Sequence, residues 1–286
     1  MERLRKLRHS RYIKSASVLA TGSGVSQAIA IICSLITTRL HAPKEFAEFT
    51  YIISIVNTFQ AIVNAHYNVA IIYEDDEASV FPLVKLSILI GLAVTTLVSA
   101  GSFLYFYFNS NLSAFIKFTP VIFLNLLAYT FIQVATFYNN RMREYGVMSS
   151  VMVLRSAIQN IGAVLLGLLP LGSWGMMLPF VGGQFAGLSK QSITLRQHMK
   201  EILAASREDM RKAAIKHYRQ PLYSMPSGFL NGFSLSSVTF FVESLFGLAE
   251  LGFYSISVRI LGLPLNIISQ NIGAVLRKDA SVEYNK

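Results

Sequence analysis

Apolar residues follow one another along this chain in long blocks, without the strict alternation that is typical of half-buried β-strands. Eight blocks approach or exceed the roughly 20 residues with which an α-helix crosses about 30 Å of membrane hydrocarbon. The predicted spans are Ala16–Thr38, Phe49–Ile72, Leu86–Phe108, Thr119–Tyr138, Val147–Leu169, Trp174–Leu188, Leu222–Phe246 and Leu251–Val275. The pattern therefore predicts an all-α polytopic membrane protein with about eight transmembrane helices.

One long polar interval, residues 189–220, separates six predicted spans from the last two. It holds eight Lys or Arg residues against three acidic residues. Its apolar residues recur at near-helical spacing: Leu195, Met199, Ile202, Met210 and Ile215. This pattern predicts a surface helix over residues 193–217, which either lies on an anionic membrane face or is a solvated connection.

The composition also excludes a soluble domain, since 53% of the 286 residues are hydrophobic, 14% are charged and the mean hydropathy is +0.48. If the chain begins inside the cell, twenty of the 25 Lys and Arg residues lie on the cytoplasmic side of the predicted spans. The other side holds only Arg39, Lys44 and Lys117. Cytoplasmic loops retain positive charge, so we predict a cytoplasmic N-terminus. The same bias explains the net charge of +10 without a nucleic-acid partner.

Two further basic residues, Arg155 and Arg259, fall inside predicted spans. Each lies eight residues from the nearer end of its span, or about 12 Å deep. A guanidinium at that depth costs at least about 3 kcal/mol unless it meets protein, water or a ligand. Two interpretations stay open: an internally paired or snorkelling arginine, and an anion-binding group in a cavity.

Polar residues form stripes on four predicted spans at helical spacing. The stripes comprise Asn57, Gln60, Asn64 and Asn68 on the second span, Arg155, Gln159 and Gly162 on the fifth, Ser227, Asn231 and Ser234 on the seventh, and Ser255, Arg259, Gly262, Asn266 and Gln270 on the eighth. Lipid cannot satisfy such groups, so they are predicted to point inward and to line a hydrated path. Glu243, near the outer end of the seventh span, is either a rim carboxylate or a site for a coupling ion or proton.

No residue pattern points to an enzyme, a cofactor or a metal site. The chain has no H-E-x-x-H, no G-x-S-x-G, no P-loop and no Cys/His cluster with metal spacing. The single Cys33 provides no disulfide framework. The acidic run Glu74–Glu77 is interpreted as a solvated loop, because four adjacent side chains splay apart. We therefore predict a protein that is not an enzyme and needs no cofactor.

Several strings resemble the bacterial polysaccharide and oligosaccharide flippase family, within the multidrug/oligosaccharidyl-lipid/polysaccharide exporter superfamily. SLITTRLHAPKEFAEFTYIISI resembles its first loop, and YNNRMREYGVMSSVMVLRSAIQNIG resembles its fourth loop and fifth span. YRQPLYSMPSGFLN and FGLAELGFYSISVRILGLPLNIISQNIGAVL resemble its seventh and eighth spans. Members of the family usually carry twelve or fourteen spans in two lobes, whereas this chain ends two spans into the second lobe. The chain is therefore expected to be a fragment, a truncated product or one part of a split protein.

The resemblance implies an incomplete MATE-like fold with three parts: a six-helix N-lobe over 1–188, a basic amphipathic cytoplasmic linker over 189–220 and a two-helix partial C-lobe over 221–286. It implies that the first, second, seventh and eighth spans line a cavity between the lobes. The expected localisation is the bacterial inner membrane. The expected partners are membrane lipids, a lipid-linked oligosaccharide, and a missing C-terminal part or glycan-assembly proteins.

By the same resemblance, the function is a flippase that moves an undecaprenyl-diphosphate-linked oligosaccharide to the outer leaflet for O-antigen, capsule or exopolysaccharide synthesis. The candidate diphosphate-binding residues are Arg259, Arg155, Asn57, Gln60, Asn64, Asn231 and Asn266, with Glu243 as a candidate coupling residue. The residues support this independently, because arginine binds phosphate oxygens with a planar pair of donors. The alternatives are a cation-coupled multidrug exporter, a membrane protein without transport activity, and a glycan polymerase or transferase. The last would need a large extracytoplasmic catalytic loop, which the pattern does not predict.

Overall fold

The computed structural model describes the backbone of residues 2–108 and 112–262, and the side chains of 17–108 and 118–262. In these ranges the chain forms helices joined by short turns, with no β-strand. The α-helices are α1 (Glu2–Leu40), α2 (Pro43–Gln60), α3 (Tyr67–Tyr73), α4 (Glu77–Phe108), α5 (Leu112–Arg141), α6 (Tyr145–Gly167), α7 (Trp174–Gln191), α8 (Ile193–Gln197), α9 (Met199–Ala204), α10 (Arg207–Lys216), α11 (Met225–Phe246) and α12 (248–262). A short π-helix, Gln220–Ser224, directly precedes α11.

Five described segments are long and apolar enough to cross a membrane: Ser17–Leu40, Glu77–Phe108, Phe118–Arg141, Tyr145–Gly167 and Gln220–Phe246. The all-α polytopic class is therefore confirmed. The other three predicted spans correspond to the α2–α3 pair, to the 18-residue α7 and to α12, whose predicted end lies outside the described residues.

The second predicted span is not one continuous helix, so the prediction of an unbroken Phe49–Ile72 helix is wrong. The chain turns between α2 and α3, where Ala65 (φ 47°) and His66 (φ 59°) adopt the left-handed conformation. Buried Asn64 holds this turn in place, because its Nδ2 donates to the carbonyl oxygens of Ser87 (2.9 Å) and Thr130 (3.3 Å). The turn is thereby fixed to α4 and α5.

Small residues set the close helix contacts. A Cβ atom at Gly22 of α1 would lie 2.1 Å from Oγ of Ser149 on α6, and one at Gly162 of α6 would lie 2.7 Å from Pro179 on α7. Side chains larger than hydrogen would force these helices apart. Helices α1, α6 and α7 therefore form one closely packed layer.

The polar interval is helical but broken, so the prediction of one helix over 193–217 is wrong. It forms α8, α9 and α10, with breaks at His198 and between Ala204 and Arg207. Its apolar residues Leu195 and Ile202 are buried in a cluster with residues of α4 and α5. These two residues of the linker therefore pack on the protein's own helices, whereas Met199 and Ile215 are exposed.

Glu74 ties the linker to the helical bundle. Its side chain is fully buried and accepts hydrogen bonds from Lys216 Nζ (2.6 Å) and His217 Nε2 (2.8 Å) at the end of α10. Burial by itself raises the pKa of Glu74, but the hydrogen bonds from Lys216 and His217 outweigh burial and bring the pKa to about 2. The solvated-loop interpretation is therefore wrong for Glu74, although its neighbours Asp75 and Asp76 are exposed.

The orientation of the bundle is open to a labelling test. In a Cys33→Ala background, we expect Ser79→Cys to react with a membrane-impermeant maleimide only from the cytoplasmic side. Leu112 follows the other end of α4 in the sequence, so Leu112→Cys should react only from outside. Reaction of both positions from the same side would contradict the predicted topology.

Candidate functional site

A cavity of about 280 Å³ lies where α12 meets α1, α2, α6 and α7. Its polar lining residues are Gln159, Asn160 and Arg259, and its apolar walls include Met176 and Phe180. No acidic residue lines it among the side chains that the structure describes. It is therefore a mostly apolar pocket with a single charged group, which favours an anionic ligand group.

Packing at the start of α12 determines where Arg259 points. A Cβ atom at Gly252 would lie 2.2 Å from the carbonyl oxygen of Pro43, so only glycine allows α12 to approach the start of α2 so closely. One turn later, Ile256 packs on a buried cluster that contains Phe46. These contacts place Arg259 at the cavity, two turns from the close approach.

Arg259 contacts an aromatic ring rather than a carboxylate. Its guanidinium carbon lies 5.7 Å from the ring centroid of Phe46, which is 1% exposed. A cation–π contact of this kind contributes about 0.5–2 kcal/mol, well below the cost of burying an unpaired charge. Within the described ranges, the ion pairs involve His41, Glu74 and Lys212, and none includes Arg259. The guanidinium therefore keeps its donors for another partner.

Both cavity amides donate a hydrogen bond within the protein. Gln159 Nε2 donates to the carbonyl oxygen of Phe180 (3.1 Å), and Asn160 Nδ2 donates to the carbonyl oxygen of Ser156 (2.9 Å). Asn160 was not among the residues expected from the sequence. It directly follows Gln159, which belongs to the polar stripe of the fifth predicted span. These bonds hold the amides in place and leave Arg259 as the main donor toward the cavity.

Arg155 lies elsewhere. Its Nη2 donates to Oε1 of Gln184 on α7, and its side-chain carbons pack where a Cβ atom at Gly187 would lie 2.5 Å away. The structure thus places Arg155 in the α6–α7 contact and not in the lining of the cavity, in agreement with the internally paired interpretation.

The remaining candidates are also distributed over separate places. Asn64 joins α4 and α5, and Gln60 has a buried Oε1 without a hydrogen-bond partner in the described part of the chain. Asn57 and Asn231 are exposed at the contact between α2 and α11, where a Cβ atom at Gly232 would lie 3.3 Å from the carbonyl oxygen of Asn57.

Glu243 and Asn266 are the last two candidates. Asn266 lies outside the described residues. Glu243 is half-buried on α11 and makes no ion pair with Arg259. The described lining of the cavity takes Gln159, Arg259 and Gly262 from the stripes of the fifth and eighth predicted spans, and no residue from the stripes of the second and seventh.

A family model described as "Polysaccharide biosynthesis protein" matches residues 12–276, which include every described residue that lines the cavity. No curated protein matches the chain, and no solved structure does. The matched family consists of polysaccharide-related membrane transporters and flippases rather than enzymes. Since the match covers well over half of a chain that folds as a multi-pass bundle of apolar helices, the protein belongs to the polysaccharide biosynthesis protein family.

Proposed function

We propose that the protein is a flippase, or the N-terminal part of one, for an undecaprenyl-diphosphate-linked oligosaccharide in the bacterial inner membrane. The glycan would serve O-antigen, capsule or exopolysaccharide synthesis. The observation that carries this proposal is Arg259, a guanidinium in a membrane-depth cavity that pairs with no described carboxylate. Membership of the family supports the glycan as the cargo.

The chemistry of the cavity suits a diphosphate better than a sugar. A diphosphate concentrates negative charge on several oxygens, and a guanidinium binds two such oxygens with parallel N–H groups. A sugar would instead need several unoccupied amide or hydroxyl groups, whereas Gln159 and Asn160 each already donate to a backbone carbonyl, which leaves only part of their hydrogen-bonding capacity for a ligand. Arg259 would therefore bind the linkage between lipid and glycan.

The volume of the cavity limits what it can hold. At about 280 Å³ it is at the small end of ligand pockets, which typically span about 300–1,000 Å³. It can accept a headgroup but not an oligosaccharide with its lipid tail. The glycan and the lipid would extend beyond it, toward the further helices of a second lobe.

The two-lobe arrangement is part of the proposal. Residues 1–188 would form the N-lobe, 189–220 the linker and 221–286 the start of the C-lobe, with alternating access by rocking of the lobes. The contact between α2 and α11 would be the contact between the lobes. It includes the hydrogen bond from Ser54 Oγ to Thr239 Oγ1 (3.0 Å) and two aromatic pairs, Tyr51 with Phe240 and Phe59 with Phe229.

A cation-coupled multidrug exporter is the nearest alternative. It would bind cationic, apolar compounds and would be expected to present a carboxylate to the cavity. The described lining contains Arg259 and no acid, which would repel a cationic compound. The charge of the site therefore favours the flippase.

Complementation of a strain that lacks its own glycan flippase tests the proposal. This chain should be compared with the same chain extended by four further spans of a family member, at matched membrane abundance. Restored surface glycan from the extended chain, or from both, supports the proposal. Absence of surface glycan from both chains, each inserted at normal abundance, would rule it out.

A further inference from the structure

His41 lies in the short turn between α1 and α2, and each of its ring nitrogens contacts an oxygen atom. Nδ1 is 2.9 Å from Oε2 of Glu45, and Nε2 is 3.2 Å from the carbonyl oxygen of Ala163 on α6. The side chain of His41 is 2% exposed and that of Glu45 is 28% exposed. The pair is therefore enclosed on the histidine side and reachable from solvent on the carboxyl side.

The two contacts determine how many protons the pair holds. A carbonyl oxygen and an ionised carboxylate only accept, so each contact is a hydrogen bond only where the ring nitrogen carries a hydrogen. A neutral imidazole carries one hydrogen, on Nε2 or on Nδ1, so it makes one of the two hydrogen bonds and leaves lone pairs in contact on its other side. Both hydrogen bonds form together only when the pair holds one more proton, carried either by the ring or by Glu45.

The ring of His41 is enclosed by the turn that joins α6 and α7. A Cβ atom at Gly167 would lie 2.7 Å from Nε2, and one at Gly175 would lie 2.8 Å from Cε1. Both close approaches need glycine, so the pocket fits the imidazole. The same turn makes a second contact nearby, where Ser173 Oγ donates to Oε2 of Glu48 (2.6 Å).

The pair is also connected to the cavity. The edge of His41 packs on Phe46, with ring centroids 6.1 Å apart and planes at 85°. The ring of Phe46 also makes the cation–π contact with the guanidinium of Arg259. Movement of the α1–α2 turn would therefore move the aromatic ring that contacts Arg259.

Few other charges surround the pair. Residues 156–189, which contain the facing parts of α6 and α7, include no charged side chain. The charged residues on the other adjacent elements are Arg39 of α1, Lys44, Glu45 and Glu48 of α2, and Glu250 and Arg259 of α12. Glu45 is the carboxylate that contacts the ring, so proton binding is expected to depend on this pair.

We infer that His41 and Glu45 form a proton-binding site that fastens the α1–α2 turn to the C-terminal end of α6. Loss of the proton leaves lone pairs in contact on one side of the His41 ring, and this weakens the attachment of the turn to α6. This step is a simple protonation and needs no other reactant. Its use in coupling transport to a proton gradient rests on the proposed function, whereas proton binding itself does not.

The single tryptophan of the chain reports on this site. Trp174 lies at the start of α7, between Ser173, which bonds Glu48, and Gly175, which packs on the His41 ring. The fluorescence of the purified full chain in lipid nanodiscs would be recorded while the pH is changed in both directions across neutrality. We expect one reversible step as the turn is released.

Three variants determine whether the step belongs to the pair. His41→Gln should abolish the step. Glu45→Gln should also abolish it and hold the low-pH signal throughout, because the amide of glutamine donates permanently to Nδ1. His198→Gln, a histidine stacked on Phe81 in the linker region, should keep the full step.

The outcomes separate this inference from the proposed function. A step that persists in Glu45→Gln, or a wild-type chain without a step, would overturn the proton-binding site even if His41→Gln fails to fold. Loss of the step in Glu45→Gln but not in His198→Gln supports it. These fluorescence measurements use no glycan lipid. If complementation fails while the pH-dependent fluorescence step is present, only the proposed flippase function is contradicted.

Discussion

Replacing Arg259 with alanine is expected to lower surface-glycan output about 10- to 100-fold per unit of membrane-inserted transporter. Hydrogen bonds to charged groups contribute about 1.5–3 kcal/mol, and each 1.4 kcal/mol is a tenfold change. The cavity contains no second described cation that could replace the lost guanidinium. Arg259→Lys should recover only part of the output, because a point charge replaces a planar pair of donors. Output would be measured in a flippase-deficient strain with the complete transport protein.

Arg155 provides the matched control, since it is another arginine at similar predicted depth that pairs with Gln184. Arg155→Gln should lower the abundance of inserted protein through the loss of a helix contact, with little effect on output per molecule. If Arg259→Ala instead lowers abundance alone, Arg259 has a structural role. Normal output from Arg259→Ala at normal abundance would eliminate its role in binding.

Replacing Glu74 with glutamine is expected to release α10 from the bundle. The difference between the usual pKa of 4.5 and the value of about 2 corresponds to about 3 kcal/mol of interaction with the protein. Glu74→Gln removes that interaction and leaves Lys216 and His217 without their carboxylate. The protection of residues 207–217 from hydrogen–deuterium exchange should fall about 100-fold. Asp75→Asn, an exposed neighbour, should change protection little.

The same carboxylate makes linker docking depend on pH. Because the pKa of Glu74 is lower in the folded protein than in an unfolded chain, its stabilisation is fully present above about pH 4.5. It is lost as the pH falls toward about 2. Protection of residues 207–217, corrected for the intrinsic exchange rate, should therefore decrease over this window in the wild type and stay flat in Glu74→Gln. Equal protection in both proteins at neutral pH would contradict the role of Glu74 in docking.

The sequence predicts the helical class of this protein well, because burial in lipid requires long apolar segments and those are visible in any single sequence. It predicts less well how the segments meet. Helical spacing shows that Arg155 and Asn64 lie on polar faces, but not that one face meets Gln184 and the other meets carbonyl groups of α4 and α5. For this reason the sequence does not show which of the four stripes meet at one cavity.

The helix break between α2 and α3 and the burial of Glu74 could not be predicted from the sequence pattern either. The left-handed conformations at Ala65 and His66 interrupt an apolar run that contains no glycine or proline between 60 and 73. Glu74 belongs to an acidic run that is typical of a solvent-exposed loop. Its ion-pair partners, Lys216 and His217, lie more than 130 residues later in the chain. Such features depend on tertiary contacts that local patterns do not contain.

Binding of a polyprenyl diphosphate to the purified chain tests the central claim, that Arg259 holds the diphosphate of a lipid-linked glycan, most directly. Dissociation constants for the diphosphate and for the matching polyprenyl monophosphate would be measured by native mass spectrometry, for the wild type and for Arg259→Ala. We predict that the wild type prefers the diphosphate by about tenfold, as one additional charge-assisted contact would give, and that Arg259→Ala loses this preference. Equal affinity of both proteins for the diphosphate would contradict the claim.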